Sequence, residues 1–312
     1  MCIDCNERLT RRAFLTSATA TLAGVTLAAD AAGQQPAIQN ALDDKNIIQG
    51  AITFQSGADT IKGYLARPKR VGRFSAVVIS HGNPGIPEDI RNVAAQVAQA
   101  GFVGLAVDWG ERAPMPVGQQ DRDEWVSHVT SYTFVKLQMQ DLQAGIDHLY
   151  AQSFIKRKGA AVIGFCGGGR LALLFSIQSK AIKAIVSFYG PVIYHMNQHK
   201  TDPVPDVLQV VKQIKVPVQG HYGLLDTVAP AADAKLFEKA MRAQKTTVEM
   251  YYYAAAGHRF YNYAVPQGSD PGFDYNAEAA ARQSTRGTTA RTPGSARRGV
   301  SFRRVSTKSS KI

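Results

Sequence analysis

One stretch restricts this chain more than any other. The unbroken apolar run Ala160-Ala161-Val162-Ile163 enters Gly164-Phe165-Cys166-Gly167-Gly168-Gly169 and leaves as Arg170-Leu171-Ala172-Leu173-Leu174-Phe175. This reads as a buried strand, a sharp glycine turn and a helix. Glycines on both sides of Cys166 fit a turn so tight that a side chain beside it would strike the strand or the helix. The thiol is then carried at the head of a helix. There, unpaired amides and the positive end of the helix dipole favour thiolate over thiol and can receive a developing oxyanion.

The rest of the chain supplies the sheet that such an elbow needs. Strands are expected at Ile47 to Gln55, Lys62 to Ala66, Ala76 to Ser80, Phe102 to Val107, Ala160 to Phe165, Ile182 to Phe188, Val216 to Tyr222 and Val248 to Tyr252. Several are continuous Val/Ile/Ala runs without polar alternation, as in strands covered on both faces. Helices are expected between them, at Asp89 to Gln99, Tyr132 to Ala151, Gly168 to Ile177 and Pro230 to Ala243. In the second of these, Val135, Met139, Leu142, Ile146 and Leu149 recur at three- and four-residue steps and form one apolar stripe. Strands alternating with helices predict an α/β fold with a mostly parallel, doubly wound sheet and helices on both faces. Ligands bind such sheets at the carboxyl ends of strands, where Cys166, Asp226 and the His81 turn all fall. The segments Glu111 to Thr130 and Pro191 to Gln213 are expected to be loops that shape the pocket.

The ends read differently from the body. Thr10-Arg11-Arg12-Ala13-Phe14-Leu15, an uncharged segment from Thr16 to Ala29, and Ala29-Asp30-Ala31 together suggest a twin-arginine signal over residues 1–31. The expectation is a periplasmic protein delivered folded by the twin-arginine export machinery, with no stable membrane anchor, because the apolar segment is too short to span a bilayer. Cleavage would remove Cys2 and Cys5 and leave Cys166 as the lone thiol. Cys2-x-x-Cys5 has no second pair or nearby histidine to complete a metal site. The formal charge of +12 resides mainly in the tail: residues 282–312 hold nine Arg or Lys and no acid, whereas 34–281 holds 24 basic against 21 acidic residues, a net +3. Rich in Ser, Thr, Arg and Gly, that tail cannot build a core and is expected to be disordered. The domain is therefore placed at 32–281, and nucleic acid is not an expected partner. The abrupt change of composition after Ala281 suggests a shifted reading frame or an unusual terminus.

A cysteine nucleophile needs a base, and the base needs an orienting acceptor. In hydrolases with an elbow of this kind the chain order is nucleophile, acid, histidine. Asp226 follows a predicted strand in Gly223-Leu224-Leu225-Asp226-Thr227-Val228, and His258 follows the last one in Ala256-Gly257-His258-Arg259-Phe260. His128, His148, His195 and His199 lie in helical or polar segments and suit the surface; His221, at a strand end, suits the core. The turn Ser80-His81-Gly82-Asn83-Pro84-Gly85 offers backbone N–H groups, so the amides of Asn83 and Gly167 are candidates for an oxyanion hole.

Three blocks in register resemble the dienelactone hydrolase family: the elbow from Gly164 to Gly169, Gly220-His221-Tyr222-Gly223-Leu224-Leu225-Asp226, and Tyr253-Ala254-Ala255-Ala256-Gly257-His258-Arg259-Phe260. The likeness runs from about Ile47 to Glu278 and implies an α/β-hydrolase fold. It also implies a triad of Cys166, Asp226 and His258 that opens small esters or lactones through a thioester, without metal or organic cofactor. Two departures stand out. A glutamate that members of the family use to control the cysteine is matched here by Gly82. Of two arginines that grip the substrate carboxylate, one matches Arg112 and the other position is Asn262. The rival readings are a catalytically silent, exported binding or scaffold protein on the same fold, and a nucleic-acid binder acting through the basic tail.

Overall fold

In the computed structural model, residues 40–82, 85–114, 116, 119–195 and 199–261 are described. The expected export signal, Cys2 and Cys5, Asn83, Asn262 and the basic tail lie outside them. Eight strands, β1 (Ile47–Ser56), β2 (Asp59–Pro68), β3 (Phe74–Ser80), β4 (Val103–Val107), β5 (Ile155–Phe165), β6 (Ile182–Phe188), β7 (Val218–Gly223) and β8 (Val248–Tyr253), form one sheet in the order β1-β2-β4-β3-β5-β6-β7-β8. β1, β2 and β4 pair antiparallel, and every pairing from β4 onward through β3 to β8 is parallel. The expected strands are all present. The largest shift is in β5, which begins at Ile155 because that residue still pairs with Phe74 of β3, ahead of an irregularity in the register before Ala160.

Six helices are described: α1 (Glu88–Gln99), α2 (Gln119–Val129), α3 (Tyr132–Ala151), α4 (Gly167–Gln178), the single turn α5 (Val207–Val210) and α6 (Ala231–Ala243). One face of the sheet is closed by α3, α4 and α6, through Leu142, Ile146, Leu171, Leu173, Phe237 and Met241. α1 closes the other face, with Ile90, Val93 and Val97 packed over Val77, Ile79 and Ala106. Strands covered on both sides are what the unbroken Val/Ile/Ala runs require. All five residues of the predicted stripe on α3 are buried, and Ser131 caps that helix by accepting from the Phe134 N–H at 3.2 Å.

Two segments depart from the expectation of loops. Glu111 to Thr130 contains α2, and Pro191 to Gln213 contains α5. The sequence of α2 is mostly polar, and its buried side is narrow: Trp125, Val126 and Val129 meet Trp109, Ala113 and Phe134 in a small separate cluster. Trp125 Nε1 also donates to the Ala113 carbonyl at 2.7 Å. A helix held by three residues leaves little periodic signal. Among the described residues, no helix is long and apolar enough to cross a membrane.

Candidate active site

The turn after β5 is as tight as its glycines imply. Cys166 sits at φ 53°, ψ −124°, outside the regions an L-residue prefers, and its N–H is held by the Phe188 carbonyl at 3.0 Å. A Cβ on Gly164 would lie 2.2 Å from the Gly168 oxygen, and one on Gly168 would lie 2.2 Å from the Ser80 oxygen. Neither position has room for a side chain, because β5, the first turn of α4 and the end of β3 touch backbone to backbone. The strain therefore serves to place Cys166 at the N-terminus of α4, where the Gly167 N–H bonds to the sulfur.

Two loops bring the other groups to it. Leu224 N–H donates to the Tyr253 carbonyl and Leu225 N–H to the Ala256 carbonyl, each at 2.9 Å, so the segments after β7 and β8 are tied together. Asp226 Oδ1 accepts from the Val228 and Ala229 N–H groups, both at 2.8 Å, which fixes the carboxylate and leaves Oδ2 for His258 Nδ1 at 2.9 Å. His258 Nε2 lies 3.0 Å from Cys166 Sγ. Asp226 and His258 are buried, while Cys166 is partly open. Sequence reasoning named these three residues, and here they form one hydrogen-bonded line.

The electrostatics favour an ion pair. Burial pushes the Cys166 thiol up, but the adjacent His258 charge, its hydrogen bond and the Gly167 N–H outweigh this and leave the thiol below its usual value. Burial likewise opposes a charged His258, yet the Cys166 sulfur and the Asp226 carboxylate raise it to about 9. Such a pair can supply a thiolate beside a ready proton donor.

Some neighbours were not foreseen. Tyr189, one residue past β6, packs edge-on to the His258 ring with centroids 5.0 Å apart and restrains its tilt. Trp109, two residues past β4, stacks on His81 at 4.7 Å. Tyr194 hydrogen-bonds Thr130, and both line a cavity of about 60 Å³ that also touches Cys166 and Gly167. The available signal was position: Trp109 and Tyr189 follow strands at the sheet edge where ligands bind.

Other expected roles come out as follows. His81 is buried, with Nε2 3.3 Å from Asp108 Oδ1, which also accepts from the Gly110 N–H at 3.0 Å, so the turn after β3 is anchored to the turn after β4. Gly82 is buried beside it, whereas Asn83 falls outside the described residues. His221 is a core residue: its ring stacks between Phe188 and Tyr251, Nδ1 meets the Tyr253 hydroxyl at 2.8 Å, and burial drops its pKa to about 3. Arg112 forks onto buried Asp141 of α3, with Nε to Oδ2 at 2.7 Å and Nη2 to Oδ1 at 2.8 Å, and gives Nη1 to Asp59 at 2.7 Å. Its guanidinium is thus engaged by two carboxylates. Among the described residues, no group of three or more His, Cys, Asp or Glu is gathered to hold a metal ion.

The sheet order and the cysteine on its glycine elbow, with the histidine and aspartate beside it, define an α/β-hydrolase fold. The chain belongs to the dienelactone hydrolase family, whose model matches residues 61–289. A "Probable 2-oxo-3-(5-oxofuran-2-ylidene)propanoate lactonase" of Bradyrhizobium sp is 31% identical over 204 residues, covering 64% of this chain and 79% of that protein. A "Putative carboxymethylenebutenolidase" of Methylorubrum extorquens is 29% identical over 260 residues, covering 81% and 84%. Among solved structures, a "Putative Dienelactone Hydrolase" from Klebsiella pneumoniae matches with a TM-score of 0.63 at 24% identity, covering 77% of this chain and 96% of that one. The acylaminoacyl peptidase of Pyrococcus horikoshii shares the fold at a TM-score of 0.54 and 17% identity, covering 67% of this chain and 37% of that one.

Proposed function

We propose that this protein hydrolyses small carboxylic esters or lactones through a thioester on Cys166. The observation that carries the reading is the line from Asp226 Oδ2 to His258 Nδ1 at 2.9 Å and from His258 Nε2 to Cys166 Sγ at 3.0 Å, on a family member's elbow. The thiolate attacks the ester carbonyl, and the negative charge moves to the carbonyl oxygen, which the Gly167 and Asn83 amides receive. The intermediate collapses, the C–O bond breaks, and the His258 imidazolium gives its proton to the departing alkoxide. Neutral His258 then takes a proton from water as that water attacks the thioester. The C–S bond breaks, the acid leaves, and the thiolate–imidazolium pair is restored. Asp226 keeps the Nδ1 proton in place and stabilises the charged ring. With Gly82 where relatives carry a glutamate, His258 and the Gly167 N–H are left to sustain the thiolate.

The test is nitrophenyl acetate in rapid mixing. A burst of nitrophenol with a mass gain of one acetyl group on Cys166 is expected, both lost in Cys166→Ala. A burst that persists in that variant overturns Cys166 as the nucleophile, and the absence of any burst in the wild type returns the chain to a binding or scaffold role. The N-terminal Arg11-Arg12 supports twin-arginine export to the periplasm as part of the same proposal. Replacing both arginines with lysine should keep the precursor in the cytoplasm, and unchanged secretion would refute that route.

A further inference from the structure

The end of the sheet opposite Cys166 carries eleven exposed Lys or Arg residues, nearly half of the 24 basic residues in 34–281. They stand at the amino ends of neighbouring strands. Lys69, Arg70 and Arg73 occupy the turn from β2 into β3, which is tied to the start of β5 by Arg73 Nε on the Ser153 carbonyl at 3.3 Å and the Phe74 N–H on the Phe154 carbonyl at 2.8 Å. Lys156, Arg157 and Lys158 follow in a bulge: Phe74 pairs with Ile155 and Ala76 with Ala160, so four residues of β5 stand against Ser75 alone. Lys183 of β6 lies beside that bulge, since a Cβ on Gly159 would fall 2.3 Å from Lys183 Cγ, and Lys183 Nζ donates to the Lys180 carbonyl at 3.0 Å. Lys212 and Lys215 precede β7, and Lys245 precedes β8. The Gln244 carboxamide joins these last turns through the Val211 and Ile214 carbonyls at 3.1 and 3.0 Å. At about 4.8 Å per strand, the row from β3 to β8 is roughly 20 Å wide.

None of the eleven makes an ion pair among the described residues, whereas cations at the other end do: Lys62 meets Glu111, and Arg112 meets Asp59 and Asp141. The acids at the basic end are mostly engaged by amides. Asp44, ahead of β1, takes the Asn46 N–H and the Gln99 carboxamide at 2.7 and 2.8 Å, Asp147 near the end of α3 takes Gln143 at 2.9 Å, and Glu249 of β8 takes Gln219 at 3.2 Å. Asp43 is exposed two residues from exposed Lys45. Crowded like charges repel one another, and an anionic partner offsets that cost. Two apolar side chains stand among them. Val71, at the tip of the turn between Arg70 and Arg73, is fully exposed, and Ile48 of β1, in register with Arg67, is 42% exposed. Tyr132, the only exposed large aromatic among the described residues, opens α3 at the other end. Cations with aliphatic tips and no stacking ring suit a lipid headgroup layer rather than nucleic-acid bases.

We propose that this basic face docks the protein on anionic phospholipid surfaces, with Val71 dipping into the headgroup layer and Cys166 held on the far side of the molecule. The Lys and Arg side chains meet the lipid phosphates, and Val71 leaves water for the boundary of the acyl chains. β3 runs seven residues from Phe74 to Ser80, about 23 Å, so the elbow stays open to solvent in this orientation. The contact is peripheral and weakened by salt. It stands apart from the ester-hydrolase reading, because none of its residues belongs to that site.

The experiment is co-sedimentation of the full chain with vesicles of phosphatidylcholine containing one third phosphatidylglycerol, against vesicles of phosphatidylcholine alone, at low and high salt. The wild type should partition onto the anionic vesicles about 100-fold more strongly than onto the neutral ones and lose that preference in high salt. Lys156→Gln, Arg157→Gln and Lys158→Gln combined should weaken partitioning by about 100-fold, at about fivefold per charge. Val71→Ser should weaken it by about threefold or more while leaving retention on a DNA duplex unchanged. Unchanged circular dichroism and urea midpoints report that the variants stay folded. A wild type that ignores the anionic vesicles overturns the proposal. Wild-type partitioning of the triple variant does so too, because it assigns lipid binding to other residues, the basic tail included. Equal losses on vesicles and duplex DNA in the triple variant, with no effect of Val71→Ser, make the partner nucleic acid and overturn the lipid surface.

Discussion

The two halves of the site are built by different means. At Cys166, backbone does the positioning: β3, β5 and α4 touch so closely that Gly164 and Gly168 have no space for a methyl, and Asp226 is fixed by two amides. At the cavity, side chains do it: α2 rests on Trp125, Val126 and Val129, and the segment after β6 is held by Arg170 on Val204 and Pro205. The first half is dictated by the strand-turn-helix geometry of the fold and tolerates little change. The second is a set of replaceable contacts on the same scaffold. Chemistry is therefore conserved by sterics within this molecule, and selectivity is left to packing.

The largest effect should come from the rigid half. Cys166→Ala is expected to reduce kcat for nitrophenyl esters by about 10⁴-fold or more, as removal of a nucleophile does in hydrolases. Stopped-flow turnover measures it, and a loss of only tenfold would mean that another group attacks. Next comes Arg112, the arginine paired with two carboxylates. Arg112→Met leaves Asp141, wholly buried, without its ionic partner, and should cost about 3–5 kcal/mol in urea unfolding. The kcat/KM ratio of monomethyl succinate to methyl butyrate should stay as in the wild type; a changed ratio would place Arg112 at the substrate. Gly168→Ala drives a methyl against the Ser80 and His81 carbonyls and should cost about 3 kcal/mol, at the upper end of overpacking. Wild-type stability in that variant would mean the elbow can open, and the contrast between the halves would weaken.

These contrasts explain what could be read from the sequence. The central strands were legible because parallel strands covered on both faces must be apolar throughout, and the elbow because Gly164 and Gly168 have no room for a side chain. Asp226 and His258 were legible because each follows a strand directly, so one coordinate, the strand end, fixes their side of the molecule. α2 was hidden because three apolar residues in a polar segment do not make a period. The ion pairs of Arg112 were hidden for a related reason: its partners Asp59 and Asp141 are 53 and 29 residues away, and nothing local marks them. Arg170 sits within the elbow itself, yet its burial against the Val204 and Pro205 carbonyls is a property of the folded surroundings only.

The ion pair gives a sharper measure of the rigid half. Thiolate forms as pH rises through the lowered Cys166 value, and the proton on His258 is lost as pH rises through about 9. Iodoacetamide should thus react rapidly at neutral pH and slow only when acid protonates the sulfur. For hydrolysis, kcat/KM should rise on the acid limb with thiolate and fall on the alkaline limb near pH 9, where the leaving group loses its proton donor. The two limbs belong to the pair as a whole. An alkylation midpoint at the ordinary thiol pKa of about 8.5 would mean that His258 does not share charge with Cys166.

The smallest effect should arise in the packed half. Val129 of α2 is 6% exposed and lines the cavity, so Val129→Ala lengthens the space available to the acyl chain without touching the reacting groups. A hydrophobic pocket discriminates one methylene by about tenfold at the low end, and part of the new space will be lost to relaxation of the loosely held α2. The ratio of kcat/KM for nitrophenyl butyrate to nitrophenyl acetate should therefore rise by less than about tenfold, while the alkylation profile of Cys166 keeps its midpoint. An unchanged ratio would place the acyl chain elsewhere, and a shifted alkylation midpoint would show that packing around α2 reaches the ion pair after all. Either result would join the two halves that the backbone contacts separate.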